Sequence, residues 1–267
     1  MRFDIVIRTF NSAETLGQCL RSLPFQDPKF GKLTAVDSGS TDQTQEILKG
    51  FDVETLTYPK DAPFNYSKSL NIGIRNCHHD LCLLVSSHVL VPEMIGLMES
   101  VIGFFEEYPE CVGVYFTSEE CSDGEFKWQW VDGKSFNGFN GLFNSCAVIR
   151  KSFWETCQFR EDTAACEDQM WADEAFKRGY KTVRVLSPNV QYLNPRSLAY
   201  KKARDIVIVS RHFRPDLRSF GNIGRQIGLG LHAYFNWNGS RHYKRYFWTA
   251  ILLLRDRLST IKFDSGY

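Results

Sequence analysis

The first 110 residues alternate between two patterns of hydrophobic positions. Short apolar runs such as FDIVIRTF, LTAVDS and LCLLVS are typical of strands buried in a sheet. Between them lie segments whose apolar residues recur three and four positions apart, as on one face of a helix; Leu16, Cys19, Leu20 and Leu23 form such a face. Strands that alternate with helices predict an α/β fold, with a mostly parallel sheet flanked by helices on both faces.

The rest of the chain changes character twice. Residues 121–144 are rich in Gly, Asn, Phe and Trp without a clear period, which predicts loops and short strands. The segment ACEDQMWADEAFKRGY predicts a helix that ends at Gly179, and KTVRVL predicts a strand after it. Beyond Pro195 the pattern becomes helical. We therefore predict a sheet domain over 1–195 and a mainly helical extension over 196–267.

The formal net charge of +1 is unevenly distributed, because residues 1–194 carry −9 and residues 195–267 carry +10. Two interpretations of the basic extension remain open. It is either a peripheral anchor that meets an anionic membrane surface, or a helical subdomain that packs on the sheet with a solvated basic face. Nucleic acid is not an expected partner, because the basic region contains no recognisable binding module.

The cysteines and the amino terminus bear on the compartment. Eight cysteines without a regular framework favour a reduced, cytoplasmic protein over a disulfide scaffold. The amino-terminal MRFDIVIRTFNS alternates apolar and charged residues, unlike a signal peptide, and no apolar run approaches the roughly 18 residues of a membrane span. We expect a cytoplasmic location, with peripheral binding to the inner face of a membrane as the alternative.

Polar residues follow two of the predicted strands, in VIRTFNS and in AVDSGSTDQT. Adjacent strand ends that face one crevice form a slot of nucleotide size, where the Asp37 carboxylate could accept hydrogen bonds from a base or a ribose. There is no GxGxxG or GxxxxGK[ST] motif, so neither a dinucleotide site nor a P-loop is indicated. Ser40 and Gln43 match a capping box, which predicts a helix that opens at Ser40.

Four motifs in order resemble the family 2 glycosyltransferases of GT-A fold. They are VIRTFNSAETLGQCLRSL, AVDSGSTDQT, NYSKSLNIGIRN and FREDTAACEDQMWADEAFKRGY, and the resemblance covers about residues 3–195. It implies an inverting enzyme of the hexosyltransferase type, which moves a sugar from a nucleotide-diphosphate donor to a glycan, lipid-linked or other hydroxyl acceptor. It also implies a role in polysaccharide biosynthesis.

The resemblance assigns roles in donor binding. Thr9 and Asn11 would line the nucleotide pocket, Asp37 would contact the base, and Asp42 would support that loop. Lys68 would lie toward the diphosphate, although an exposed helix lysine is also consistent with a purely solvent-facing position.

The resemblance also makes Asp168 the general base, with Glu167 beside it. Displacement at an anomeric carbon needs the acceptor hydroxyl deprotonated as it attacks, and a positioned carboxylate can take that proton. The competing interpretation is an acidic pair that only satisfies the helix dipole. Trp171, one turn later, would either form the floor for an acceptor sugar or belong to the core.

The stretch LLVSSHVLVP departs from the family at its Asp-x-Asp metal site, where Ser86 and His88 replace the two aspartates. Tyr192 and Asn194 stand where relatives often carry histidines. Two alternatives follow for His88: it ligates a transition metal such as Mn²⁺ in place of the usual Mn²⁺ or Mg²⁺ site, or it donates a hydrogen bond or a charge directly to the diphosphate without a metal. A third alternative is a non-catalytic sugar-nucleotide or glycan-binding module, against which the retained Glu167 and Asp168 argue.

Overall fold

The computed structural model describes residues 1–25, 27–61, 63–90, 94–117, 127–186, 190–193, 199–236 and 242–258. Contacts within the chain divide it into two compact units. The first holds Met1–Phe136 and Asn140–Leu193, and the second holds Asn137–Phe139 and the helices from residue 199 onward. Of the positions that carry sequence predictions, Asn194 and residues 121–126 lie outside the described residues.

The first unit is built on an eight-stranded sheet. Its strands, in chain order, are β1 (Phe3–Thr9), β2 (Phe30–Asp37), β3 (Glu54–Thr57), β4 (Leu81–Ser86), β6 (Cys111–Thr117), β7 (Lys127–Val131), β8 (Cys146–Arg150) and β9 (Lys181–Leu186). A two-stranded antiparallel ribbon pairs β5 (Val89–Leu90) with β10 (Gln191–Tyr192). The order across the sheet is β3-β2-β1-β4-β8-β6-β9-β7. The first four strands in this order run parallel, and β8 is antiparallel to both its neighbours.

Helices cover both faces of this sheet. Successive residues of its central strands point to opposite sides, and both sides carry apolar residues that need a covering layer. Ile5 and Ile7 of β1 join one buried apolar cluster, whereas Val6 joins another. The helices of the first unit are α1 (Ala13–Ser22), α2 (Thr44–Gly50), α3 (Tyr66–Arg75), α4 (Met94–Glu107), α5 (Lys151–Thr156) and α6 (Glu167–Lys177). Buried residues of α1 and α4 belong to the first cluster, and those of α3 and α6 belong to the second. The predicted α/β architecture is confirmed.

The parallel strands bring their polar carboxyl ends to one edge. In the register of β1 with β2, Thr9 is paired with Asp37. In the register of β1 with β4, Arg8 is paired with Ser86. Buried apolar residues directly precede these positions, as Val6–Ile7, Ala35–Val36 and Leu83–Val85 do, so the polar groups follow where the strands leave the core.

The opposite, amino end of β1 holds a fully buried carboxylate. Asp4 accepts hydrogen bonds from the backbone amides of Lys32, His78 and His79 and from the His79 ring at 2.8 Å. Burial alone would raise the pKa of Asp4, but the hydrogen bonds from the His79 ring and the three amides outweigh it and hold the pKa below its ordinary value. A side chain at Gly31 would collide with this carboxylate, so the close approach of β2 requires glycine there.

The second unit is helical. It contains α7 (Ala199–His212), a 3₁₀ turn (Pro215–Arg218), α8 (Phe220–Asn236) and α9 (His242–Leu258). Asp256 of α9 is buried and pairs with Arg211 and Arg218. A small core forms around Ala203, Val207, Ile223, Ala250, Leu252 and Leu253. Within the described ranges, no helix has both the length and the apolar content needed to cross a lipid bilayer.

Candidate active site

Asp37 anchors the loop that follows β2. Its Oδ1 accepts hydrogen bonds from Thr9 Oγ1 at 3.1 Å and Ser40 Oγ at 2.5 Å, and its Oδ2 accepts from Ser40 N at 3.0 Å and Gln45 Nε2 at 3.1 Å. A carboxylate offers about four acceptor positions, and protein donors fill this number at Asp37. The Asp37 carboxylate, which is predicted to contact the base, therefore binds the loop that follows β2 in this structure. Thr9 supplies one of the hydrogen bonds that the carboxylate accepts.

Asn11 and Asp42 hold the same loop from its other side. Asn11 adopts a left-handed conformation (φ 47°), its amide donates to Ser40 Oγ at 2.9 Å, and its Oδ1 accepts from Thr41 N at 2.8 Å. The Asp42 carboxylate accepts from the amides of Ala13 and Thr44, both at 3.0 Å. The slight burial of Asp42 opposes ionisation, but these bonds and one from the Thr44 hydroxyl lower its pKa. Asp42 thus links the loop to the start of α1.

The expected capping box at Ser40 is wrong. Helix α2 begins at Thr44, and no side chain caps it at Gln43. The Ser40 hydroxyl instead donates to Asp37 and accepts from Asn11, because the turn after β2 needs those bonds to close.

The Ser86-Ser87-His88 step leaves one side chain at the surface of the slot. Ser86 and Ser87 are both buried; Ser86 Oγ lies 3.4 Å from Arg8 Nη2, and Ser87 Oγ lies 2.7 Å from Ser12 Oγ. His88 is only partly buried, and its ring centre lies 6.5 Å from that of Tyr192. Of these three residues, His88 is the most exposed.

Arg8 forms a buried polar network that sequence reasoning missed. Its Nη2 donates to Asn144 Oδ1 at 2.9 Å, and its Nη1 lies 3.7 Å from Glu167 Oε1. Asn144 Nδ2 donates to the same Glu167 oxygen at 2.7 Å, and the Arg8 guanidinium lies 5.5 Å from the centre of the Tyr66 ring. Arg8 Nη1 is nevertheless buried without a hydrogen-bond acceptor. The charge of Arg8, directly after the apolar Ile5, Val6 and Ile7 of a predicted buried strand, is the signal that could have identified it.

The two acidic residues that open α6 have different surroundings. Cys166, just before them, is left-handed with φ 57°, so the chain turns sharply into the helix. Glu167 is buried against Arg8 and Asn144. Asp168 is only partly buried; its Oδ1 accepts from Gln169 N at 2.9 Å and its Oδ2 from Asn144 N at 3.4 Å. Asp168 is thus the member of the pair that a substrate hydroxyl can approach.

Tyr192 of β10 lies beside this pair. Its hydroxyl is 3.2 Å from Ser145 Oγ and donates to the Phe116 carbonyl oxygen at 3.4 Å. Burial is the largest cause that raises the pKa of Tyr192 to about 12, and the negative charge of Asp168 contributes to the shift. The phenol therefore stays protonated at neutral pH and can serve only as a neutral hydrogen-bonding group.

The two remaining predicted residues, Lys68 and Trp171, make different contacts. Lys68 lies on α3, partly exposed, with Nζ 5.7 Å from the centre of the Tyr58 ring. Trp171 is only 2% exposed, donates from Nε1 to the Cys157 carbonyl oxygen at 2.8 Å, and stacks on Phe159. The acceptor role for Trp171 is wrong, because the turn that exposes Asp168 directs Trp171 into the core.

The residues at the Ser86 position do not fit a divalent cation. In the described parts of the chain, no three side chains among His, Cys, Asp and Glu converge as metal ligands. Hard cations prefer carboxylate oxygens, and here serine hydroxyls take their place beside a guanidinium. Two like unit charges 4 Å apart repel by about 4 kcal/mol near a protein surface, and a doubly charged ion roughly doubles that cost.

Comparisons with known proteins agree with this geometry. The family model described as "Glycosyl transferase family 2" matches residues 4–162, a segment that ends just before Glu167 and Asp168. A search of curated protein sequences gives no significant match.

Several solved structures share the fold. Staphylococcus aureus TarS 1-349 in complex with UDP is 16% identical, with a TM-score of 0.56 over 89% of this chain and 73% of that one. The Pyrobaculum calidifontis mannosyltransferase PcManGT, in complex with GDP-Man and Mn²⁺, is 14% identical, with a TM-score of 0.61 over 97% of this chain and 76% of that one. Glucosyl-3-phosphoglycerate synthase from Mycobacterium tuberculosis, in complex with UDP, is 13% identical, with a TM-score of 0.59 over 79% of each chain.

At these identities the structural matches establish the GT-A fold alone. The family assignment rests on the match to residues 4–162, which covers more than half of the chain and includes the polar strand ends at Thr9, Asp37 and Ser86. This protein therefore belongs to glycosyl transferase family 2.

Proposed function

We propose that the protein transfers a sugar from a nucleotide-diphosphate donor to an acceptor hydroxyl, with inversion at the anomeric carbon. The observation that carries the proposal is the position of Asp168. Its carboxylate lies at the start of α6, partly exposed, held by the Asn144 amide beside the Ser86–His88 step. This places a candidate base at the same sheet edge as the loop that follows β2.

The donor would occupy the slot at the carboxyl ends of β1, β2 and β4. The loop anchored by Asp37 and Asn11 supplies the wall for the nucleoside, with Thr9 beneath it. His88, and Lys68 less directly, would meet the diphosphate. Two proteins of the same fold were solved with such ligands, TarS with UDP and with UDP-GlcNAc, and PcManGT with GDP-Man and Mn²⁺. These complexes support a nucleoside diphosphate as the leaving group.

In the transfer step, Asp168 would take the proton of the acceptor hydroxyl as its oxygen attacks the anomeric carbon. The bond from that carbon to the diphosphate oxygen breaks, and its electron pair leaves with the nucleoside diphosphate. Glu167 does not share this role, because its carboxylate is buried against Arg8 and Asn144. It positions the start of α6.

We propose further that no divalent cation is required. His88 would donate directly to the diphosphate, and the buried positive charge of Arg8 would lower the electrostatic cost of negative charge nearby. The donor set at Ser86, described above, supports this choice between the alternatives left open by the sequence.

The finer assignments are also proposals. A hexose as the transferred sugar, a glycan or lipid-linked acceptor and a role in polysaccharide biosynthesis follow from the family resemblance. A cytoplasmic location is supported by the cysteines, since the seven that are described are all free thiols.

The test is Asp168→Asn, with Asp173→Asn on the same helix as the matched control. Asp173 pairs with Lys177 along the helix. We expect Asp168→Asn to lower turnover by about 10²–10⁴-fold, because the base is lost, while the affinity for the nucleoside diphosphate stays unchanged. Asp173→Asn should retain wild-type turnover. Unchanged turnover in Asp168→Asn would show that the base assignment is wrong, and a wild-type protein that binds sugar nucleotides but never releases the diphosphate would be a binding module.

A further inference from the structure

Helix α8 presents an apolar stripe to solvent. Phe220, Ile227, Leu231, Tyr234 and Phe235 are all exposed, and their spacing of three, four and seven residues places them on one side of the helix. Phe220 is 60% exposed and Phe235 is 73% exposed. The buried Ile223, Gly230 and Ala233 lie on the adjoining side of α8, so the helix has a core face and, next to it, an uncovered apolar face.

Helix α9 has the same arrangement. Its inward side is buried and includes Leu252 and Leu253, whereas Trp248, Ile251, Leu254 and Leu258 point outward. Ile251 is 54% exposed and Leu258 is 72% exposed. Because α8 and α9 pack against each other, we refer to these exposed residues of the two helices together as the apolar face.

The exposed charged residues of α8 and α9 are all basic. Arg225, Lys244, Arg255 and Arg257 are exposed. The only acidic residue described in α8 and α9 is Asp256, which is buried and paired with Arg211 and Arg218. Lys244 and Arg255 lie four and seven residues from Trp248 and Ile251, so they share the apolar side of α9. No exposed carboxylate described on either helix offsets this positive charge.

We propose that the apolar face binds an anionic membrane surface, with α8 and α9 lying in the plane of the lipid headgroups. Large aliphatic and aromatic side chains would enter the boundary between headgroups and acyl chains, where Trp and Tyr are favoured. The exposed basic residues of the two helices would meet anionic lipid. Exposed apolar area on this scale marks an interaction site, and a lipid surface satisfies its hydrophobicity and its charge together.

A second copy of the chain is a poorer occupant. Pairing two such faces would bury the apolar residues, but it would also bring two sets of Arg and Lys side chains together without acidic partners on the helices. Like charges across an interface oppose association. The proposal does not rest on the glycosyltransferase proposal, because membrane binding needs neither donor nor turnover.

The experiment is co-sedimentation of the full chain with vesicles of phosphatidylcholine, alone or mixed with phosphatidylserine. We expect binding to the mixed vesicles, little binding to phosphatidylcholine alone, and release as salt is raised, because charge attraction is screened. The double variant Lys244→Gln/Arg255→Gln should bind the mixed vesicles about 30-fold more weakly, because each basic residue near the surface contributes about fivefold and the two factors multiply. Leu231→Ser/Phe235→Ser should weaken binding by at least about tenfold.

Matched controls come from the first unit. Phe51→Ser and Lys49→Gln alter exposed residues at the end of α2 and should leave vesicle binding unchanged. All the changed side chains are exposed, and circular dichroism would verify that each variant is folded. Salt dependence requires no variant at all.

Three results would overturn the proposal. The first is a failure of the wild-type protein to bind the phosphatidylserine-containing vesicles at low salt. The second is unweakened binding by the apolar double variant. The third is a concentration-dependent dimer that Leu231→Ser/Phe235→Ser dissociates while vesicles have no effect, which would assign the apolar face to self-association.

Discussion

Strand β1 carries one buried charge near each end, and the two differ in how fully they are hydrogen-bonded. At the amino end, Asp4 accepts hydrogen bonds from three backbone amides and one imidazole. Near the carboxyl end, Arg8 donates one good hydrogen bond to Asn144, lies 3.7 Å from Glu167, and leaves Nη1 without an acceptor. The first charge is fully satisfied by its surroundings, and the second is not.

We interpret the amino end as structural and propose that the carboxyl end is the functional one. A buried polar group without a partner costs free energy, so a fold keeps one only where something else benefits. Asp4 fastens β1, β2 and the turn before β4 to one another. The Arg8 network instead holds the helix start that exposes Asp168, at the edge where parallel sheets bind ligands.

The largest expected effect comes from breaking the Arg8–Glu167 pair. Arg8→Met should destabilise the protein by about 3–5 kcal/mol, because it leaves the Glu167 carboxylate buried without its counter-charge. Chemical denaturation would measure the loss. Arg75→Met, at an exposed arginine that donates to Gln158, should cost less than about 1 kcal/mol.

The double variant Arg8→Met/Glu167→Gln sharpens this test. Removing both charges should recover part of the lost stability, because no unpaired buried charge remains. If the loss of free energy of unfolding in the double variant equals the sum of the losses in Arg8→Met and Glu167→Gln, the two side chains do not interact. The network then does not position α6 as described.

The amino end should respond less strongly and with a pH signature. Asp4→Asn should lower the free energy of unfolding at neutral pH by about 1.5–3 kcal/mol, because an amide cannot accept all four hydrogen bonds. The pKa of Asp4 is lowered in the folded protein, so the stabilisation is fully present above its ordinary value of 3.8 and disappears as pH falls through the folded value. The free energies of unfolding of the wild type and of Asp4→Asn should therefore converge as the pH falls into the acid range. A difference that grows as pH falls would contradict this account of Asp4.

The smallest of these effects concerns two histidines, one at each end of the sheet. His88→Ala should weaken binding of nucleoside diphosphate by about tenfold, because a hydrogen bond to a charged oxygen is lost. His78→Ala, at an exposed position by the amino end, should leave binding unchanged. Equal binding by both variants and the wild type, measured by calorimetry with and without Mn²⁺, would reduce His88 to a structural role.

The sequence was a good guide to the fold because strand and helix periods are local. The alternation of the first 110 residues predicts the sheet and its flanking helices, and the break after LLVS coincides with the end of β4. The helix expected at Ser40 begins at Thr44 instead. A capping pattern cannot show that the Ser40 hydroxyl bonds to both Asp37 and Asn11, since those bonds form only when the turn closes.

The site was less predictable because its key contacts are distant in sequence. Arg8 and Asn144 are 136 residues apart, and no local pattern states where a guanidinium will point. Trp171 had two open interpretations because the orientation of α6 was unknown, and the fold turns it inward. Asp168 was identified through the family motif, but only the structure separates its exposed carboxylate from the buried one of Glu167.

The central claim is that the carboxyl edge of the sheet transfers a sugar from a nucleotide donor without a divalent cation. The most direct test measures release of nucleoside diphosphate from UDP-, GDP- and dTDP-sugars, in EDTA and with Mn²⁺ or Mg²⁺ added. We predict release from at least one donor, at the same rate in EDTA as with the metals, and loss of that release in Asp168→Asn. Release that occurs only when a metal is added would contradict the metal-free site, and no release from any donor would contradict the transferase itself.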